Sequence, residues 1–180
     1  MAPRRIYTIG HSTHSLDELV ALLRGHGVDQ LADVRAYPSS RRMPRFNRER
    51  LSRDLPAYGI AYVHLPRLGG RRAPSSSRAN AGWRVAGFRG YADYMASRDF
   101  EAGLEELAAL ASRRTTAMMC AEALWWRCHR RLVSDALTVR GWEVVHLAPT
   151  GRATTHELTP FAVVDVAGMP TYPPRPAGAE

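Results

Sequence analysis

The sequence contains no lysine, because all 25 of its basic residues are arginines, and it has only two cysteines in 180 residues. Two cysteines are too few for a disulfide framework, so we expect free thiols in a cytoplasmic protein. No apolar run is long enough to span a bilayer and no secretory leader is found, so a membrane or secreted protein is not expected. Walker loops and glycine-rich dinucleotide fingerprints are also missing. The length suits one domain with a sizeable core.

The arginines are crowded into one part of the chain. Thirteen of them lie between Arg35 and Arg89, with only Glu49 and Asp54 as acidic residues in the same stretch. Arginine makes forked contacts to phosphate and carboxylate groups. The stretch therefore indicates either a binding surface for an anionic small molecule or nucleic acid, or a basic face that is merely solvated.

Apolar strand-like segments alternate with helical stripes along the chain. The predicted strands are 6–9, 30–34, 61–65, 115–120 and 142–147, and a helix is predicted over 123–139. A capping box at Ser15 and Glu18 predicts a helix start. This alternation predicts a single α/β domain over 1–150, with a mostly parallel sheet of about five strands flanked by helices.

Two less regular segments complete the chain. A long basic loop at 66–87 follows the third strand and is expected to be a functional lid or disordered. The extension 151–180 is expected to add one edge strand at 161–166, followed by a disordered proline-rich tail beyond Gly168.

Polar clusters stand where the predicted strands end. They are Gly10-His11-Ser12, Asp33-Val34-Arg35, His64, Cys120-Ala121-Glu122 and His146. Ligands bind outside the carboxyl ends of the strands in open parallel sheets. The clusters therefore predict one shared site.

The first two clusters and Glu122 offer acid, base and ion-binding groups. His11 precedes a helix N-terminus, which favours anions, and it could act as an acid or base, as could Glu122. Asp33 and Arg35 share one face of a strand. They form either a structural ion pair or a carboxylate and a substrate clamp, and the sequence leaves both open.

The cysteines lie in the most distinctive stretch. Cys120 is a candidate nucleophile or metal ligand at a strand end. Cys128, His129 and Arg130 are predicted in the first turns of the next helix, where the helix N-terminus and arginines would lower a thiol pKa. Cys128 also falls on an apolar helical stripe with Trp125, which favours a buried, inert thiol.

Metal binding is an alternative use of the same residue types. An open catalytic site for a divalent metal would draw on His11, His64, Glu122, His129 and His146, although the cysteine spacing matches no structural zinc site. The other histidines, His14, His26 and His156, are expected to be surface or capping residues.

The long loop offers a second set of anion contacts. Gly69-Gly70, among several arginines, could hold a phosphate through backbone amides, or could simply be a flexible loop tip. Trp83, Phe88 and Tyr91 interleave with arginines, as in a base-stacking surface, or pin the loop to the core.

Together these motifs resemble the domain-of-unknown-function family 488 (DUF488) over roughly positions 5–147. The resemblance implies an α/β domain but no established activity. The motif residues that it carries over are His11, Ser12, Asp33, Arg35, Ser39, Gly69, Gly70, Tyr91, Cys120, Glu122, Cys128, His129 and Arg130.

Three functional hypotheses follow. The first is a hydrolase or transferase acting on a phosphate-bearing substrate such as a nucleotide or nucleic acid. Its expected catalytic residues are His11, Asp33, Cys120, Glu122 and His129, and its expected substrate-binding residues are Ser12, Arg35, Ser39, Gly69, Gly70, Tyr91 and Arg130. The second is a non-catalytic nucleic-acid-binding module. The third is a redox sensor that depends on the thiols or on a metal.

Overall fold

A six-stranded sheet runs through the middle of the computed structural model, which describes residues 4–174. Its strands are β1 (Arg5–Gly10), β2 (Gln30–Asp33), β3 (Ala61–His64), β4 (Thr116–Cys120), β5 (Glu143–Leu147) and β6 (Ala153–Thr155). The order is β3-β2-β4-β1-β5-β6, and only the edge strand β6 is antiparallel to its neighbour. The predicted α/β fold with a mostly parallel sheet is confirmed.

Helices cover both faces of the sheet. They are α1 (Leu16–Gly25), α2 (Arg48–Asp54), α3 (Ala86–Tyr94), α4 (Arg98–Ala111) and α5 (Arg130–Val139). One buried cluster joins α1 and α2 to the sheet, and a second joins α3, α4 and α5 to its other face. The predicted capping box opens α1, since the Ser15 hydroxyl accepts from the Glu18 amide and the Glu18 carboxylate accepts from the Ser15 amide. Covered on both faces, the sheet leaves its strand ends as the place for a crevice.

The helix predicted over 123–139 begins late, at Arg130. A short 3-10 helix, Trp125–Arg127, precedes it, and Cys128 has an extended backbone. The Trp125 ring stacks on His146 of β5, with ring centroids 4.0 Å apart. This long-range contact overrides the local helical pattern and turns Cys128 toward the end of β4.

The long connection after β3 is ordered. The Asp93 carboxylate of α3 accepts hydrogen bonds from Ser75 and from Asn80. The Asn80 side chain also accepts from the backbone amide of Tyr172, at 3.0 Å. These polar contacts hold the middle of the loop against α3 and the C-terminal segment, and its role as a functional lid stays a prediction.

The C-terminal segment also differs from expectation. The edge of the main sheet is β6, and residues 161–166 contribute only β7 (Val163–Val164), which pairs with β8 (Pro170–Thr171) in a separate hairpin. Tyr172 is fully buried, so order continues well past Gly168. The last part of the predicted disordered tail, 175–180, lies outside the described residues.

No helix within residues 4–174 combines the length and apolar character needed to cross a membrane.

Candidate functional site

A cavity of about 420 Å³ opens at the carboxyl ends of the central strands. Its lining residues are Arg35, Ala36, Tyr37, Gly70, Arg71, Val85, Gly87, Phe88, Tyr91, Cys120, Ala121, Glu122, Arg127, Cys128 and His129. They come from the segments after β2, β3 and β4, from α3, and from the turn before α5. Of the five predicted strand-end clusters, two contribute to this wall, through Arg35 after β2 and through Cys120 to Glu122 at the end of β4.

Two thiols form part of the cavity wall. Cys120 Sγ and Cys128 Sγ lie 2.8 Å apart, and both cysteines are free. Burial alone would raise the pKa of Cys128, but the hydrogen bond from Cys120 and the nearby Arg130 charge lower it to about 7. Burial and the same hydrogen bond raise the pKa of Cys120 well above its usual value. The pair therefore favours a Cys128 thiolate that accepts a hydrogen bond from the Cys120 thiol.

His129 is placed to exchange a proton with Cys128. Its Nε2 lies 2.9 Å from the Val34 carbonyl oxygen, which can only accept, so Nε2 carries a hydrogen. Its Nδ1 lies 3.4 Å from Cys128 Sγ and is free to take the thiol proton. Burial lowers the pKa of His129. The imidazole therefore favours the neutral form that can act as a base.

Arg130 puts a positive charge beneath this thiol pair. It is buried, its Nη1 donates to Thr8 Oγ1 at 3.1 Å, and its Nη2 donates to the Glu122 carbonyl at 2.6 Å. Its Nε has no hydrogen-bond partner. Among the described residues no carboxylate lies within 4.0 Å of this guanidinium. A buried cation without a directly bonded carboxylate stabilises a nearby anion, and the thiolate is the anion at hand.

Asp33 and Arg35 form a buried ion pair. Arg35 donates to both carboxylate oxygens of Asp33, at 2.8 and 2.6 Å, and Tyr62 donates a further hydrogen bond to Asp33. Arg35 Nη2 also donates to the Phe46 carbonyl, and its backbone carbonyl accepts from His64. These contacts fix the segment after β2, so we expect Arg35 to shape the cavity wall more than to clamp a substrate.

His11 lies behind the cavity, with both ring nitrogens engaged. Its Nδ1 donates to the Ser12 carbonyl at 3.0 Å, and its Nε2 accepts from Arg35 at 3.2 Å. The ring stacks on Phe46. Burial lowers the pKa of His11 to about 4, partly opposed by the bond to Ser12. His11 is therefore neutral at physiological pH and has no ring nitrogen left for a substrate.

This lowered pKa predicts acid sensitivity. His11 takes up a proton near pH 6.5 in the unfolded chain but only near 4 in the folded one, so the unfolded state binds more protons as the pH falls. The unfolding free energy should lose about 3 kcal/mol between pH 7 and 4 through this group. In His11→Asn, urea titrations at pH 7 and pH 4 should show a drop in unfolding free energy that is about 3 kcal/mol smaller than in the wild type. If His11→Asn loses as much unfolding free energy as the wild type, the acid sensitivity does not come from His11. His14→Asn, at a less buried histidine, is the control and should lose as much as the wild type.

Gly10 allows the first and fourth strand ends to touch. A Cβ at this position would lie 1.7 Å from the Glu122 carbonyl oxygen. We expect Gly10→Ala to lower the unfolding free energy by about 3 kcal/mol or more, because backbone must move to relieve the clash. Gly25→Ala is the control, since nothing lies within 4 Å of the added methyl. Equal thermal stability of the two variants would contradict this close approach.

Of the other predicted residues, Glu122, Tyr91 and Gly70 line the cavity and three do not. Glu122 is exposed on its wall. The Tyr91 hydroxyl donates to the Leu68 carbonyl at 2.7 Å, and a Cβ on Gly70 would lie 2.9 Å from His129 Nδ1. Ser12, Gly69 and Ser39 do not line the cavity.

The hypothetical metal ligands are not brought together. Within residues 4–174, no three side chains among the histidines, cysteines and carboxylates are arranged to hold one metal ion. His146 bonds instead to Thr8 and His156, and burial lowers the pKa of His146 to about 2. His156, expected at the surface, is buried beside Asp135. It directly follows β6, a short edge strand that has no periodic signal in the sequence.

Sequence reasoning missed parts of this cavity. Cys128 is buried as expected, but it also lines the cavity beside Cys120. Arg127 and Tyr37 were given no role, although both lie on the wall. The adjacency of Cys128, His129 and Arg130 indicates a reactive thiol. The apolar stripe that Cys128 shares with Trp125 indicates an inert one.

The family comparison agrees with the motifs. A family model described as Domain of unknown function DUF488 matches residues 15–137. Because that match covers more than half of the chain, the protein belongs to the DUF488 family. Searches of curated proteins and of solved structures each found no match.

Proposed function

We propose that the cavity is a thiol redox site in which Cys128 reacts with a peroxide or a disulfide and Cys120 completes the reaction. The observation that carries this proposal is the 2.8 Å contact between the two sulfurs on a cavity wall. A disulfide needs a separation of about 2.05 Å, so only a small approach is required. The Arg130 charge supplies the thiolate that such chemistry uses.

The steps balance with a peroxide as the oxidant. His129 Nδ1 first accepts the proton of the Cys128 thiol. The Cys128 thiolate then attacks one peroxide oxygen, the S–O bond forms, the O–O bond breaks, and the departing hydroxide takes that proton back from His129 and leaves as water. Cys128 is then a sulfenic acid. The Cys120 sulfur attacks it, and the Cys120 proton leaves with the sulfenic oxygen as water. The product is a Cys120–Cys128 disulfide.

Hydrogen peroxide is a direct test. One equivalent added to the reduced protein at pH 7 should give a Cys120–Cys128 disulfide that peptide mass spectrometry identifies and dithiothreitol reverses. In Cys120→Ser the same treatment should stop at a Cys128 sulfenic acid that dimedone traps. Two thiols that stay reduced under these conditions would reject the proposed function.

A phosphate-bearing substrate is the second candidate, favoured by the basic cavity wall. Arg71 and Arg127 are exposed there, beside the apolar side chains of Tyr37, Val85 and Phe88. Arginine recognises phosphate, and aromatic rings stack on bases. The wall would suit a nucleotide or the end of a single strand.

Protection of Cys128 from labelling tests whether a phosphate-bearing ligand binds in the cavity or only to the basic surface outside it. If the cavity binds phosphate, adenosine monophosphate should slow iodoacetamide labelling of Cys128, and Arg71→Gln or Arg127→Gln should abolish that protection. The control is Arg113→Gln, which lies between α4 and β4, at the amino end of that strand and away from the cavity. Single-stranded RNA that binds with a steep salt dependence, yet leaves labelling unchanged, would indicate the non-catalytic module instead.

A further inference from the structure

A chain of buried hydrogen bonds runs from Arg130 through side chains that do not line the cavity. Arg130 Nη1 lies 3.1 Å from Thr8 Oγ1, and Thr8 Oγ1 lies 2.7 Å from His146 Nδ1. His146 Nε2 lies 2.9 Å from His156 Nδ1, and His156 Nε2 lies 2.8 Å from Asp135 Oδ1. All five side chains are buried. We call Thr8, His146, His156 and Asp135 the relay.

The donors and acceptors of the relay can all be satisfied in one direction. The guanidinium donates to Thr8, whose hydroxyl donates to His146 Nδ1. The remaining hydrogen of His146 is then on Nε2 and points to His156 Nδ1, and His156 Nε2 donates to the Asp135 carboxylate. Every member gives one hydrogen bond to the next. The chain therefore joins the buried cation to a buried carboxylate without direct contact between them.

The far end of the relay is tied into the core. Tyr172 donates to Asp135 Oδ2 at 2.7 Å, and the Thr159 amide donates to Asp135 Oδ1 at 2.9 Å. The Trp125 ring covers His146. No relay residue lines the cavity. Any influence of the relay on the thiols therefore passes through Arg130.

We propose that Thr8 is a positioning residue for the thiol pair, because the relay holds the Arg130 guanidinium beside Cys128. This inference rests on the proposed function, since it concerns the thiolate of that site. Without the Thr8 hydroxyl, Nη1 of Arg130 would lose its partner. Because Nε already has none, only Nη2, which donates to the Glu122 carbonyl, would still hold the guanidinium in place. A buried guanidinium so released turns toward water and away from the thiolate.

The pH dependence of Cys128 labelling measures this positioning. The titratable or charged groups around Cys128 are Cys120 from β4, Tyr91 from α3, and its neighbours His129 and Arg130. Thr8→Val keeps the shape of the residue but removes its hydroxyl. We expect iodoacetamide labelling of Cys128 at pH 6.5 to slow about tenfold, which corresponds to a pKa raised by about one unit. Labelling at pH 10 should stay as in the wild type.

Two comparison variants separate positioning from general destabilisation. Thr8→Ser restores the hydroxyl and should restore the wild-type profile. Thr138→Val removes another buried hydroxyl, one without a partner on α5, and should leave the profile unchanged. If Thr8→Val does not fold, Thr8→Ala removes the same group with less bulk and carries the same expectation.

Different results would reject the positioning role of Thr8 and the proposed function. A wild-type Cys128 that labels as an ordinary thiol rejects the proposed function itself. An acidic wild-type Cys128 whose pKa is unchanged or lowered in folded Thr8→Val or Thr8→Ala overturns the positioning role alone. A raised pKa that Thr8→Ser restores supports it.

Discussion

Replacing Cys128 with serine is expected to remove the fast-reacting thiol of this protein. With its pKa at about 7, about half of Cys128 is thiolate at pH 7, whereas an unperturbed thiol with a pKa near 8.5 is only about 3% ionised. Cys120 is less ionised still, because burial raises its pKa. Iodoacetamide incorporation at pH 7 should therefore fall by more than about tenfold in Cys128→Ser.

The matched variant is Cys120→Ser, at the partner sulfur. Its hydroxyl can still donate to the Cys128 thiolate, so labelling should remain fast, and only disulfide formation should be lost. The sequence alone favoured Cys120 as the nucleophile. If the fast-reacting thiol is lost in Cys120→Ser but kept in Cys128→Ser, then Cys120 is the nucleophile and Cys128 is not.

Arg130→Met should raise the pKa of Cys128 to that of an ordinary thiol or higher. The guanidinium lies beneath the thiol pair without a directly bonded carboxylate, and its charge is one of the two main influences that oppose burial at Cys128. With methionine in its place, burial raises the pKa of Cys128 to above about 8.5. The rate of labelling at pH 7 should fall by about tenfold or more.

Two control variants test whether the positive charge of residue 130 is responsible for this effect. Arg130→Lys retains a cation and should shift the pKa of Cys128 less than methionine does. Arg131→Met removes the next arginine on the same helix, whose Nε bonds Thr159 and whose guanidinium lies over Trp83, and should leave the pKa of Cys128 in place. If Arg130→Met labels as fast as the wild type at pH 7, the thiolate does not depend on this cation.

The meeting of the parallel strand ends at one edge of the sheet follows from local sequence patterns. Apolar segments ending in His11, Asp33 and Cys120 could be assigned to parallel strands, and parallel strand ends share an edge. The capping box at Ser15 needs only a local spacing. These features depend on residues close together in the chain, so a single sequence could reveal them.

The chemistry of the thiols depends on contacts that the sequence does not show. Cys128 reaches Cys120 because Trp125 stacks on His146 and delays the start of α5. The relay depends on His156, which follows a short antiparallel edge strand with no periodic pattern. Such long-range packing overrides local helix propensity and brings Cys128 next to Cys120 and Arg130, the two groups that lower its pKa.

The central claim is that the cavity holds a thiolate near neutral pH. The most direct test is the labelling rate of Cys128 in the reduced wild-type protein from pH 5 to 10, with the modified residue identified by mass spectrometry. We predict a half-maximal rate at a pH of about 7, well before Cys120 reacts. A midpoint at about pH 8.5 or higher, the range of an unperturbed thiol, would contradict the account.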